Sequence, residues 1–351
     1  TFYTPDFGYT GKLIYAYVSY TLLSLVYTAI NVPYCAMINN ISNDSRERVS
    51  LQSWRFALST LGGLIVSLTA LPLVAWLGQG NVQNGYFYTM IVMGCLSIIL
   101  FFICFGLTKE RYTTDIAVNN QSSILDDLKT LLANKDWRIL FALNVVNLIA
   151  VLFKGGTTLY YVNNIMGRAD LGSLLLTTTL ASGVLGAMLS PFIFKNIDKV
   201  RGFKISMAIE AALLIGMYFV PAGNVAAIFA LVIIINIIQL AATPLQWSML
   251  SDIIDAEEKR SGKKLSGIVF STNLFAIKLG IAIGGALVGY MLAWGDYVGG
   301  AAQQTDSALQ MIKLLFTVFP GVLVALLVVI MSKYSLDDKR LSRLAQDDLP
   351  A

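Results

Sequence analysis

Four charged side chains stand inside long apolar stretches of the sequence: Arg55, Lys154, Glu210 and Lys278. Each must be paired or must face a cavity, because a lone ion deep in hydrocarbon costs several kcal/mol. Lys278 lies roughly 16 Å into its stretch at 1.5 Å per residue, too deep for easy snorkelling. Glycines and alanines surround it, which suits close packing in a bundle interior. It fits a functional charge or a structural ion pair. Lys154 adjoins Gly155 and Gly156, with Tyr160 and Tyr161 beyond. It reads equally as lining a locally loosened helix or as a lysine snorkelling to the nearer boundary. Arg55 closes the run from Val49, so an early helix start carries it inside and a later start leaves it an anchor at the boundary. Glu210 is a lone carboxylate about 9 Å into its stretch, and the sequence offers no role for it. Lys313 is close enough to a boundary to snorkel.

Neutral polar groups and charge clusters add further candidates. Asn31 and Tyr34 flank Pro33, which lacks a backbone donor and frees a carbonyl. The Asn amide offers both a donor and an acceptor to a hydroxyl-rich ligand, or to a neighbouring helix. Trp247 suits stacking on a pyranose ring or plain helix packing. Asp252 and Asp255, three apart, share a helix face, and Arg46, Arg48 and Lys204 are the cations expected to meet them in a salt-bridge gate. Several chemistries drop out. The chain has no histidine, which removes His-ligated metals, Ser-His nucleophiles and imidazole relays. Cys35, Cys95 and Cys104 all lie in apolar runs and suit packing better than a disulfide framework. Neither Gly-x-Ser-x-Gly, HExxH nor a phosphate-binding Gly-x-x-x-x-Gly-Lys motif occurs, so an intramembrane enzyme or ATP-driven pump has no support.

The elements that must position these groups are transmembrane helices. Only 13% of the 351 residues are charged, about half the usual share in soluble proteins. The apolar residues fall in runs near the ~20 that cross a bilayer, without period-two alternation. Nine spans are expected: 12–38, 50–77, 87–108, 138–163, 172–195, 203–221, 225–250, 267–294 and 308–332. Most of the 25 basic residues fall in alternate loops, a bias that places residue 1 outside and the C-terminus in the cytoplasm. The net charge of +4 therefore reports orientation rather than nucleic-acid binding. The expected divisions are a partial N-terminal bundle over 1–108, a cytoplasmic loop over 109–137 with an interfacial helix at 123–135, a six-helix bundle over 138–334, and a tail over 335–351. Three spans before the loop and six after it suggest a twelve-helix carrier lacking its first three helices. A complete nine-helix channel or receptor is the alternative.

Family likeness enters at particular residues. The segment Tyr27 to Tyr34, with Asn31 and Pro33, resembles the fourth-helix signature of the glycoside–pentoside–hexuronide:cation symporters of the major facilitator superfamily. Asp44 to Leu51, leading to Arg55, is similar to that family's next loop and helix. Asp252 to Gly262, continuing through Lys278 to Gly285, resembles its tenth-to-eleventh-helix stretch. Two departures stand out: the family's Tyr-Gly-Glu is Ala256-Glu257-Glu258 here, and its Arg-x-Glu-Gly is Lys264-Leu265-Ser266-Gly267. The melibiose carrier has an acidic residue at the position of Asn31; the glucuronide and xyloside carriers have Asn. The resemblance implies an all-α fold and symport of a sugar or glycoside with Na⁺ or H⁺ by alternating access. An inactive carrier fragment is the other reading. The resemblance also implies sugar contact by Arg55, and a coupling and sugar-region role for Lys278. Asn31, Tyr34, Lys154 and Trp247 complete the expected substrate set. Apart from the coupling cation no cofactor is expected. A monomer in the inner membrane is expected, with sugar, cation and lipid as its only partners.

Overall fold

A continuous apolar run in a bilayer must satisfy its own backbone, and the helix does so within one segment. The computed structural model describes residues 7–112, 124–262, 265–301, 303–338, 340, 341 and 343, and every regular element among them is helical. In chain order these are α1 (Tyr9–Ala36), the short α2 (Ile38–Ile41), α3 (Ser45–Gly78), α4 (Val82–Leu107), α5 (Ile124–Ala133) and α6 (Lys135–Tyr160). A single π turn, Tyr161–Ile165, and a 3₁₀ turn, Ala169–Leu171, lead to α7 (Gly172–Ile193). The chain then runs through α8 (Lys199–Met217), α9 (Val225–Ser261), α10 (Ser266–Trp294), α11 (Asp306–Phe316) and α12 (Val318–Met331).

Each expected span coincides with a helix, but the count of nine is not reproduced. Among the described residues, eight helical segments are long and apolar enough to cross a membrane. The exception is 203–221, which folds as α8 but carries Lys199, Arg201, Lys204 and Glu210 in 19 residues. A second difference lies in 308–332, where the helix breaks at Thr317 (φ −124°, ψ −71°). Pro320 has no N–H to give the carbonyl four residues back, so the ladder is interrupted there. Of the expected 109–137 loop and 335–351 tail, residues 113–123, 339, 342 and 344–351 lie outside the described residues, as do Lys263 and Lys264. The expected interfacial helix is represented by α5, whose Leu131 is fully buried while Leu125 and Leu132 remain exposed.

Side chains start several of these helices. Asn81, Asn134, Asp198, Asn224 and Thr305 each accept a hydrogen bond from the backbone N–H three residues on, at 2.9–3.2 Å, the N-cap arrangement worth about 1 kcal/mol apiece. Two helices exceed what a bilayer requires. At 34 and 37 residues, α3 and α9 reach roughly 50–55 Å, against a hydrocarbon core of about 30 Å. Their polar ends, Ser45–Ser53 and Ser251–Ser261, are the overhang that carries the charge clusters.

The chain forms two compact units. The first comprises 1–43 and 62–115, hence α1, α2, the later part of α3, and α4. Within it the Asn40 carbonyl accepts from both Arg111 and Tyr112 N–H at 2.9 Å, and the Asn40 amide donates to Glu110 at 3.0 Å. These bonds tie the end of α4 to α2. The second comprises 44–61 and everything from 116 onward. Here α10 and α12 pack on α6, α7 packs on α9, and α8 packs on both α9 and α12. Gly280 and Gly284 make the α6–α10 approach possible. A Cβ at Gly280 would stand 2.8 Å from the Val145 carbonyl oxygen, and one at Gly284 3.1 Å from the Ile149 Cα. This is the small-residue packing expected around Lys278.

Candidate functional site

In the first unit, α1 runs through Pro33 without breaking until Met37. The Asn31 amide donates to the Tyr27 carbonyl at 2.9 Å, so its side chain is held against its own helix. Tyr34 is 38% exposed.

In the second unit, Arg55 and Trp247 come together. The guanidinium lies 4.7 Å from the Trp247 ring centroid and 5.6 Å from that of Phe56, and it donates to Gln52 Oε1 at 3.1 Å. Phe56 meets Trp247 edge-on at 5.6 Å, and Phe270 stacks beside it at 6.4 Å. Trp247 is thus not an open platform: Arg55 covers one part of its ring and aromatic neighbours pack the rest. Its physical effect is to orient the guanidinium, a cation–π contact worth about 0.5–2 kcal/mol. The earlier helix start is the one observed, since α3 begins at Ser45 and puts Arg55 almost three turns in.

Lys154 does not snorkel. It is buried, and its ammonium donates to Asn236 Oδ1 at 3.2 Å and Gln239 Oε1 at 3.3 Å, both on α9. Nor is α6 loosened at Gly155 and Gly156; it stays regular to Tyr160, and the irregularity is the π turn after it. Such turns widen a helix locally and recur at functional sites. Glu210 on α8, fully buried, lies within electrostatic reach of Lys154, and its Oε2 has no hydrogen-bond partner. Two charges weighed separately in the sequence are therefore both buried, Lys154 among the α9 amides and Glu210 on α8. Lys278, half-buried, sits on α10 two residues before the glycine that meets α6. Lys313 finds the face of Tyr218, 4.3 Å from its ring centroid.

The polar overhang of α3 meets those of α8 and α9. Arg48, 1% exposed, engages Asp255 through both terminal nitrogens. Asp252 is bridged by Lys199, and it also accepts from Ser45 Oγ at 2.8 Å. Sequence reasoning named Lys204 here; the cation that arrives is Lys199, the first residue of α8, while Lys204 is half-buried one turn further on. Arg46, also expected to meet the aspartates, donates instead to the Lys195 carbonyl. The chain after α12 joins this network. Asp338 N–H donates to Asp198 at 2.8 Å, and its carboxylate stands 4.0 Å from Lys199. Burial pushes the Asp338 carboxyl above its ordinary pKa, and the Lys199 charge opposes that. The Tyr334 hydroxyl is raised well above its usual value by burial and by the nearby Asp252, Asp136 and Asp198.

One chain of interior amides escaped sequence reasoning. Gln246 donates to Asn144 at 2.7 Å and Asn144 to Asn273 at 2.6 Å, linking α9, α6 and α10. All three are buried. Their signal was faint: single neutral amides in apolar runs, one of them beside Trp247. Among the described residues no group of three His, Cys, Asp or Glu side chains gathers to hold a metal ion.

Comparison with known proteins agrees with this architecture. Residues 1–338 match the family model described as MFS/sugar transport protein. The chain is 43% identical over 346 residues to the putative glycoside/cation symporter YagG of Escherichia coli K12, covering 99% of this chain and 75% of that protein. It is 37% identical over 331 residues to the inner membrane symporter YicJ of the same organism, covering 94% and 71% respectively. To the isoprimeverose transporter of Lactiplantibacillus pentosus it is 30% identical over 312 residues, 87% of this chain and 64% of that one. With matching along nearly its whole length and helices that suit a multi-pass membrane protein, the chain belongs to the MFS/sugar transport protein family.

Proposed function

We propose that the chain works as a secondary transporter that carries a sugar or glycoside together with a cation, Na⁺ or H⁺, by alternating access. The observation that carries this reading is Arg55 held over Trp247: a fixed planar donor within a helical membrane bundle, suited to vicinal hydroxyls or a uronate. The names of the relatives, a glycoside/cation symporter and an isoprimeverose transporter, support the substrate class. In the second unit Arg55, Lys154 and Lys278 are the assigned polar contacts, with Trp247 positioning Arg55. In the first unit Asn31 and Tyr34 are assigned to hydroxyl groups.

The network of Ser45, Arg48, Lys199, Asp252 and Asp255 is assigned as a gate, formed in this structure and broken when the opposite access state forms. Arg46 steadies it through the Lys195 carbonyl, and Lys204 is its outlying cation. The bias of the basic loops supports assigning this end to the cytoplasm with the C-terminus, in an inner membrane, and the transporter is assigned as a monomer without a cofactor. Counterflow of labelled glycosides and uronides into vesicles, with and without Na⁺, tests the reading. Exchange confined to one sugar class and altered by Na⁺ or pH is expected. Exchange of none of them would remove the assignment.

A further inference from the structure

A groove of about 480 Å³ runs between the exposed faces of α6 and α12. Lys135, Arg138 and Lys333 surround one end of it. Beyond them Ile139 and Ala142 face Leu326, Val329 and Ile330. On α6 the lining residues recur at i, i+3, i+4 and i+7, and on α12 Leu326, Val329 and Ile330 recur at i, i+3 and i+4, so each helix contributes a single stripe. The stripes run in opposite directions. Lys135 opens α6 and Lys333 stands two residues past the end of α12, so the three cations converge where both helices leave the apolar zone.

Among the described residues none of these cations has a carboxylate within 4.0 Å. The neighbouring Asp136 is engaged elsewhere: its two oxygens accept from the Ser335 N–H and Oγ, both at 2.7 Å. Those bonds pin the start of α6 to the segment after α12 and so fix the spacing of the cations. The α6 N-terminus adds partial positive charge at the same place.

We propose that this groove binds an anionic phospholipid, its phosphate among Lys135, Arg138 and Lys333 and its acyl chains along the apolar stripe. A free phosphate would leave the stripe without a function, and a zwitterionic lipid would bring an ammonium toward three cations. Basic pockets between transmembrane helices recognise anionic headgroups in this way. The inference rests on the chain being a membrane protein and is independent of which sugar it carries.

Native mass spectrometry of the purified chain, titrated with phosphatidylglycerol or phosphatidylcholine, tests it. The wild type should retain phosphatidylglycerol preferentially. Combining Lys135→Gln, Arg138→Gln and Lys333→Gln should lower that affinity on the order of a hundredfold, to the phosphatidylcholine level, while Lys129→Gln on α5 leaves it unchanged. Ile139→Trp fills the groove with the charges intact and should also expel the lipid, which keeps the test alive if the triple variant fails to fold. Equal retention of the two lipids by the wild type would overturn the proposal. So would undiminished phosphatidylglycerol in the folded triple variant or in Ile139→Trp, or displacement by inorganic phosphate at equal concentration.

Discussion

Lys199→Met isolates the energetic role of the polar network. Lys199 and Asp252 are 4% and 1% exposed, so removing the ammonium strands a carboxylate that, among the described residues, keeps the Ser45 hydroxyl as a donor at 2.8 Å. Breaking a buried pair in this way costs about 3–5 kcal/mol, a shift of roughly a hundredfold to several thousandfold in the equilibrium between the networked and opened states. The charge need not be restored to recover it. Lys199→Met combined with Asp252→Leu removes both ions and fills the space with apolar atoms, an exchange that is often neutral or better. The readout is maleimide labelling of a cysteine at Ser248, which is fully buried and donates to the Ser45 carbonyl at 3.2 Å. Labelling should be slow in the parent, fast in Lys199→Met and slow again in the double variant. A thermal melt of each protein separates opening from unfolding. Slow labelling in Lys199→Met would refute the reasoning, and so would fast labelling in the double variant, because packing rather than charge would then hold the network.

Arg55→Lys should weaken sugar binding because Lys lacks the planar fork; Trp247→Leu should weaken it about two- to thirtyfold by removing the cation–π contact that holds the guanidinium, both read by equilibrium binding. Asn31→Ala should weaken sugar binding directly, and equal affinities would remove Asn31 from the binding set. Lys278→Met should weaken sugar binding and abolish cation-driven accumulation beyond what that weakening explains, measured by comparing bound and accumulated sugar. Lys154→Met should lower stability by about 1–3 kcal/mol in thermal unfolding, because the Asn236 and Gln239 oxygens lose their donor in the bundle interior. Asp338 has a raised pKa in the folded chain, so its favourable contribution is full in acid and lost as pH rises through that folded value. Protease resistance of the segment after α12 should fall accordingly across mildly acidic pH, and Asp338→Asn should flatten the profile.

The helices were legible because apolar runs of bilayer length leave the backbone no other solution. Their interruptions were less so. Pro320 was visible, but whether a helix kinks, breaks or absorbs a proline depends on what packs around it, and here the break falls at Thr317. Buried charges could be recognised singly and not as partners. Lys154 and Glu210 sit on separate helices, and only the packing of α6, α8 and α9 brings them within reach. The choice of Lys199 over Lys204 follows likewise from where α8 starts, which the Asp198 cap decides. The amides Asn144, Gln246 and Asn273 illustrate the limit most clearly, since one neutral amide per helix gives no periodic signal while three that converge make a chain of hydrogen bonds.

Purified protein in sealed proteoliposomes, given a labelled glycoside and an imposed inward Na⁺ or H⁺ gradient, tests cation-coupled sugar transport most directly. The expected result is accumulation above the external concentration that collapses when an ionophore dissipates the gradient, with sugar addition in turn driving cation entry. Sugar that merely equilibrates, or cation flux indifferent to sugar, would contradict symport.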